Sequence, residues 1–235
     1  MTGKVIVAFD AYGTLLSTES IAKQLAEYFG HDKAQTVAAT WRKYQLEYTW
    51  RLNSMTITQR SLKHALREAN VSLAQSDVDA LMKAYDSLSI FPDVTPCLTS
   101  LKSKASITAV VFSNGTQSMV SNSVNHSPDL ASHASVFSDI VVVEPVKKYK
   151  PAPEVYKHLA ERVGKKPTEM GDLWLVSGNP FDIVGARAVG MKAAWVDRAG
   201  AGWQDALVVG QQGEPTVVLK SLEDLPATLE KHAEA

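Results

Sequence analysis

Six short apolar runs punctuate the chain, most of them rich in β-branched residues: Val5–Phe9, Ile107–Phe112, Ile140–Val143, Leu173–Val176, Ala193–Val196 and Thr216–Leu219. Continuous rather than alternating apolar character marks strands covered on both faces, as in a parallel sheet. Helical patterns separate most of these runs. Pro153–Val163 sets Val155, Leu159, Ala160 and Val163 on one face and stops at Gly164, and Asp182–Val189 stops in the same way at Gly190. Strands alternating with helices predict an α/β fold built on a parallel sheet.

Between residues 17 and 90 the pattern changes, with no convincing strand and four stretches of helical spacing. The first, about Thr18 to Phe29, carries Ile21, Leu25 and Phe29 and closes at Gly30. The second, about Lys33 to Leu52, repeats Val37, Trp41, Tyr44 and Tyr48. The third starts at Thr58 with Leu62, Ala65, Leu66 and Ala69. The fourth starts at Ser76 with Asp79 three residues on, a spacing like a capping box, and carries Val78, Leu81, Met82 and Tyr85. The expected organisation is a helical module over 17–90 inserted into an α/β domain made of residues 1–16 and 91–235.

Length and composition narrow the function classes. The chain has 235 residues, 45% apolar and 21% charged, which supports a packed core and argues against global disorder. Lys and Arg number 24 against 25 Asp and Glu, so no basic excess marks a nucleic-acid or anionic-membrane surface. No run approaches the ~18 apolar residues of a membrane span, and Val5–Phe9 is too short for a signal-peptide core. A cytoplasmic protein is expected. Cys97 is the single cysteine, which excludes an intramolecular disulfide and a cysteine-based zinc cage. The six histidines lack ligand spacing, and there is no G-x-G-x-x-G or Walker loop, so neither a metal nor a nucleotide cofactor is expected.

Candidate chemistry sits where the apolar runs end. In open parallel sheets, ligands bind outside the carboxyl ends of the strands. Three such ends carry polar clusters: Asp10-Ala11-Tyr12-Gly13-Thr14, Ser113-Asn114-Gly115 and Ser177-Gly178-Asn179-Pro180-Phe181-Asp182. Tyr149-Lys150-Pro151 lies in the loop before the 153–163 helix. Each cluster alone also reads as turn or helix capping, with Asp182 as the N-cap of the helix after it. Their order and common position are more specific.

These clusters resemble the motifs of the haloacid dehalogenase superfamily over nearly the whole chain. The matches are D-x-x-x-T-L at Asp10 to Leu15, a Ser at a strand tip at Ser113, Lys150-Pro151, and a last motif ending in Asp182. The resemblance implies a Rossmann-like parallel core, and the 17–90 module resembles the superfamily's cap domain. Phosphatases of the superfamily carry a second Asp two residues after the first, where Tyr12 stands here. They also pair acids in the last motif, where Ser177, Asn179 and Asp182 offer one carboxylate. The chain instead is similar to the L-2-haloacid dehalogenases: D-x-Y-G-T-L at 10–15, W-R-x-x-Q-L-E-Y-T-W at 41–50, S-N-G at 113–115, Y-K-P with Tyr156, and S-x-N-x-x-D at 177–182. Phe181 stands where members carry Trp, Pro180 is unusual there, and position 11 is a small Ala. These departures bear on the pocket rather than on the reacting groups.

The resemblance implies metal-independent hydrolysis of short L-2-haloacids to D-2-hydroxy acids. Asp10 would be the nucleophile, Lys150 its charge partner, and Thr14 and Ser177 its hydrogen-bond donors. Arg42 would receive the halide, while Ala11, Tyr12, Leu46 and Phe181 wall the pocket. Ser113, Asn114 and backbone N–H groups after Asp10 would hold the substrate carboxylate, with Tyr156 near Lys150. Asn179 and Asp182 would position or activate water. The partners implied are the haloacid, the halide and, from the resemblance and the aromatics Trp41, Tyr44 and Trp50, a second copy in a homodimer. A hydrolase of a related small carboxylate (fluoroacetate or a strained cyclic amino acid), a phosphatase and a non-catalytic binding protein are the other readings.

Overall fold

The computed structural model describes residues 5–51 and 57–234. Six parallel strands form one sheet: β1 (Val5–Asp10), β2 (Ile107–Ser113), β3 (Phe137–Val142), β4 (Leu173–Ser177), β5 (Lys192–Val196) and β6 (Val217–Leu219). Their order across the sheet is β3-β2-β1-β4-β5-β6. The chain moves outward from β1 through β2 to β3, then crosses back to start β4 on the other side of β1. That reversal opens a crevice at the carboxyl ends of β1 and β4. The register brings the strand tips together, with Asp10 opposite Phe112 and Phe9 opposite Val176. Each of the six apolar runs is a strand. β3 starts earlier than expected because Ser138 and Asp139, on the edge strand, break its apolar run, and its pairing with β2 shifts register there, from Ala109 opposite Phe137 to Val110 opposite Asp139.

The inserted module is helical: α1 (Ala22–Phe29), α2 (His31–Arg51), α3 (Ile57–Glu68) and α4 (Gln75–Tyr85). Leu52, expected to end the second helix, lies outside the described residues. The fourth helix starts without the expected capping box. Ala74 takes the N-cap position with no side-chain bond, and Asp79 instead accepts from Gln75. Trp41 and Tyr44 are not surface aromatics. Trp41 is 1% exposed and its indole donates to the Thr58 carbonyl, while Tyr44 stacks on His64. The aromatic face that suggested a homodimer reduces to Trp50, which packs edge-on against Phe181.

Helices α5 (Val94–Lys102), α6 (Gln117–His126), α7 (Pro153–Arg162), α8 (Pro180–Ala188) and α9 (Leu225–Glu234) flank the sheet. Two apolar layers cover its faces. One runs from Val7 and Phe9 through Leu98 and Val111 into the insert at Leu25 and Leu62. The other joins Ala8, Phe112 and Leu175 to Leu159 of α7 and Ile183 of α8. Both faces of β1 and β4 are therefore buried, which explains their unbroken apolar runs. No helix among the described residues is long and apolar enough to cross a membrane.

Candidate active site

Asp10 ends β1 and follows three buried apolar residues, Val7, Ala8 and Phe9. Its carboxylate is only 10% exposed and is heavily hydrogen-bonded. Oδ1 accepts from Lys150 Nζ at 3.0 Å. Oδ2 accepts from Thr14 Oγ1 at 2.8 Å, Asn179 Nδ2 at 2.8 Å and, more distantly, Ser177 Oγ at 3.5 Å. The two hydroxyls are themselves oriented. Thr14 Oγ1 accepts from the Gly178 N–H at 2.9 Å and Ser177 Oγ from the Asn179 N–H at 3.1 Å, which leaves their protons for Asp10.

Gly178 makes this possible. A Cβ there would sit 2.6 Å from the Gly13 carbonyl oxygen, so only glycine lets the loops after β1 and β4 approach. Gly13, at φ +89°, leaves its own side-chain space to the Asn179 amide and the Arg42 guanidinium.

Lys150 lies behind the carboxylate, 1% exposed. Its three protons meet three acceptors: Asp10, Asp182 Oδ2 at 2.8 Å and the Phe112 carbonyl at 2.7 Å. Burial alone would lower its pKa; the Asp10 and Asp182 charges outweigh that and raise it above the usual lysine value. Asp182 is fully buried in the first turn of α8, where the helix dipole favours an anion. Its Oδ1 takes the Tyr156 hydroxyl at 2.7 Å. Burial raises the Asp182 pKa, with the Lys150 ammonium pulling it back. Asn179, not Asp182, holds the N-cap position, so the capping reading of Asp182 does not apply.

The Asp10–Lys150–Asp182 set carries a net negative charge, and the insert supplies the balancing cation. Arg42, on α2, donates to Asn179 Oδ1 at 3.1 Å, the Tyr12 carbonyl at 3.4 Å and Gln45 Oε1 at 3.3 Å. Among the described residues it is the only cationic side chain lining a cavity of about 90 Å³ between insert and sheet. That space suits a ligand of a few heavy atoms. Burial pushes the Tyr12 and Tyr85 hydroxyls up, so both rings stay neutral in its wall. The residues do not fit a divalent metal well. The Lys150 ammonium already occupies the cation position between the two carboxylates, and no group of three or more His, Cys, Asp or Glu side chains among the described residues could hold an ion.

Of the residues expected at the site, Asp10, Tyr12, Arg42, Leu46, Asn114, Asn179 and Phe181 line the cavity. Thr14, Ser177, Lys150 and Asp182 form the shell behind Asp10. Three residues expected against substrate contribute no side chain to the wall. Ala11 is 1% exposed, Ser113 is buried with its hydroxyl accepting from the Gly115 N–H, and Tyr156 is buried with its hydroxyl on Asp182. Tyr156 cannot touch a ligand because α7 and α8 pack around it. Sequence reasoning missed Gln45, Thr49, Tyr85 and Met119, which also line the cavity. Gln45 had a legible signal, since it lies one helical turn beyond Arg42.

The topology is a six-stranded parallel α/β sheet with a helical insert over its strand tips, and the model of the haloacid dehalogenase-like hydrolase family matches residues 5–190. The chain belongs to that family. It is 33% identical over 199 residues to (S)-2-haloacid dehalogenase 4A of Burkholderia cepacia, covering 82% of each chain. It is 30% identical over 201 residues to (S)-2-haloacid dehalogenase of Pseudomonas sp. (strain YL), covering 83% of each. The solved L-2-haloacid dehalogenase of Xanthobacter autotrophicus superposes with a TM-score of 0.80 at 25% identity, over 97% of this chain and 98% of that one.

Proposed function

We propose that the chain hydrolyses short L-2-haloacids to D-2-hydroxy acids through an ester on Asp10. The observation that carries this reading is the single Asp10 carboxylate at the floor of a small cavity, ion-paired with Lys150 and faced by Arg42 from the insert. A carboxylate so placed suits attack on carbon, and a guanidinium opposite it suits an anionic leaving group.

The hydrogen bonds support different roles for the two oxygens. Oδ2 carries three donors and Oδ1 one, so Oδ1 keeps the lone pairs for attack. Oδ1 forms a bond to C2 as the carbon–halogen bond breaks, and halide leaves toward Arg42 between Tyr12, Leu46 and Phe181. The substrate carboxylate is received by the Asn114 amide, whose Oδ1 is taken by the Lys150 N–H and whose Nδ2 is left to donate, and by backbone N–H groups after Asp10. Water then adds to the Asp10 ester carbonyl carbon. Negative charge develops on Oδ2, where Thr14, Asn179 and Ser177 already point their donors. The ester C–Oδ1 bond breaks and the hydroxy acid leaves with that oxygen.

Once Asp10 is an ester, Lys150 loses one anionic partner and Asp182 becomes its sole counter-ion. Asp182, whose pKa burial raises, takes the proton of the attacking water at Oδ2 and passes it to the departing Oδ1. Asn179, an amide, orients water but cannot remove its proton. Residues 17–90 act as the cap that delivers Arg42, and residues 1–16 and 91–235 form the core that holds Asp10.

The test is halide release from L-2-chloropropionate in the presence of a strong chelator. The expected result is chloride and D-lactate in equal amounts. Absence of chloride release from any short 2-haloacid, or activity only on phosphate esters with added divalent metal, would overturn the proposal.

A further inference from the structure

Arg198, in the loop after β5, does not line the cavity, yet it reaches the shell around Asp10. Its guanidinium forks onto Asp93, with Nε to Oδ2 and Nη2 to Oδ1 both at 2.9 Å. Nη2 also donates to the Thr14 carbonyl at 2.9 Å, and the guanidinium plane lies 3.9 Å over the Phe91 ring. Asp93 is only 8% exposed and its Oδ2 takes a further bond from the Leu222 N–H at 3.0 Å. Around this hub the two linkers between insert and sheet run side by side, through Ser17 N–H to the Ser89 carbonyl and Phe91 N–H to the Leu15 carbonyl.

An ion pair that served only the fold would need Asp93 alone. The additional bond to Thr14 is directed at the site, because the Thr14 hydroxyl is one of the two short donors on Asp10 Oδ2. The peptide of Thr14 is thereby fixed from outside by Arg198, while its hydroxyl is fixed from inside by the Gly178 N–H. The planar arginine fork holds both Asp93 oxygens and the Thr14 carbonyl in one fixed geometry, which a lysine ammonium, a point charge on a flexible stem, does not reproduce. We infer that Arg198, braced by Asp93, is a positioning residue for the nucleophile, acting through Thr14. The inference rests on the reading of Asp10 as nucleophile.

The test compares Arg198→Lys and Arg198→Gln with the parent, alone and in a Thr14→Ala background. Displacing reacting groups by ~1 Å can cost about 100-fold, so kcat per folded molecule should fall about 10- to 100-fold with KM little changed. With Thr14→Ala already present, the same substitutions should lower kcat much less, since the path they act through is gone. Hydrogen exchange supplies a readout that needs no turnover: amides of residues 10–17 should exchange faster in Arg198→Lys than in the parent. Unchanged kcat per folded molecule, losses that simply multiply with Thr14→Ala, or unchanged exchange over 10–17 would each overturn the inference. A parent enzyme that releases no halide would refute the dehalogenase reading, and the exchange result would still decide whether Arg198 fixes the Thr14 loop.

Discussion

Gly185 sits inside α8, where replacing glycine by alanine ordinarily stabilises a helix by about 0.8–1.0 kcal/mol. The structure reverses that sign. A Cβ at Gly185 would lie 2.7 Å from Pro151 Cβ and 2.9 Å from Tyr156 Cε2, and closer still to the Tyr156 hydroxyl. All of these neighbours are packed against the Asp182 shell, so Tyr156 must retreat and its bond to Asp182 Oδ1 is lost. Overpacking a core costs about 1–3 kcal/mol, and losing a hydrogen bond to a charged group about 1.5–3 kcal/mol. After the helix-propensity gain, Gly185→Ala should be net destabilising by about 2–4 kcal/mol, a large part of the ~5–15 kcal/mol of a typical domain. Urea unfolding is the assay; at an m of about 3 kcal/mol/M the midpoint should fall by roughly 1 M. The mechanism makes a second demand. Tyr156→Phe removes the nearest clashing atom, so Gly185→Ala should cost less in the Phe background, with the contacts to Pro151 and to the ring carbon Cε2 setting the rest of the penalty. A raised midpoint, or an equal cost in both backgrounds, would refute the argument.

Lys150→Met leaves two buried carboxylates without their shared cation and should destabilise the fold by about 3–5 kcal/mol at neutral pH, while abolishing halide release. Because the folded pKa of Lys150 is raised above its unfolded value of about 10.5, the folded chain holds that proton more tightly. Its contribution is therefore complete below pH ~10.5 and lost as pH rises through the folded value. The stability difference between parent and Lys150→Met should shrink over that alkaline window in pH-dependent melts, and a difference that grows there would contradict the assignment. Arg42→Ala should lower kcat by about 10²–10³, the usual loss for one preorganised stabiliser of a developing anion, with the unfolding midpoint little changed. Unchanged single-turnover halide release would remove Arg42 from the reaction.

The strands and the strand-tip clusters were legible because a doubly covered sheet demands unbroken apolar runs, and Asp10, Ser113 and Ser177 end three of them. Lys150 could be named from its motif but not from any physical signal. A lysine beside Lys147 and Lys148 reads as solvated, and only the fold inserts it between two carboxylates. Tyr156 was placed near Lys150 by the resemblance alone, and nothing local said that its hydroxyl would meet Asp182 rather than a ligand. Trp41 and Tyr44 misled because α2 packs against both α1 and α3, so more than one of its faces is internal. Asp93 and Arg198, 105 residues apart, share no spacing that marks them as partners; the topology joins them. Glycines at 178 and 185 carry a requirement set wholly by what approaches them, which composition and spacing do not encode.

The most direct test of the account is a single turnover of L-2-chloropropionate in oxygen-18 water with enzyme in excess, followed by mass analysis of the product and of the peptide containing Asp10. Inversion at C2 does not distinguish the routes, since attack by Asp10 and direct attack by water both give the D-hydroxy acid. The isotope does. Attack by Asp10 Oδ1 followed by hydrolysis at the ester carbonyl puts the label in the Asp10 carboxylate and leaves the first-turnover hydroxy acid nearly unlabelled. Label in that hydroxy acid, with none in the Asp10 peptide, would mean that water attacks carbon directly and would contradict the ester mechanism.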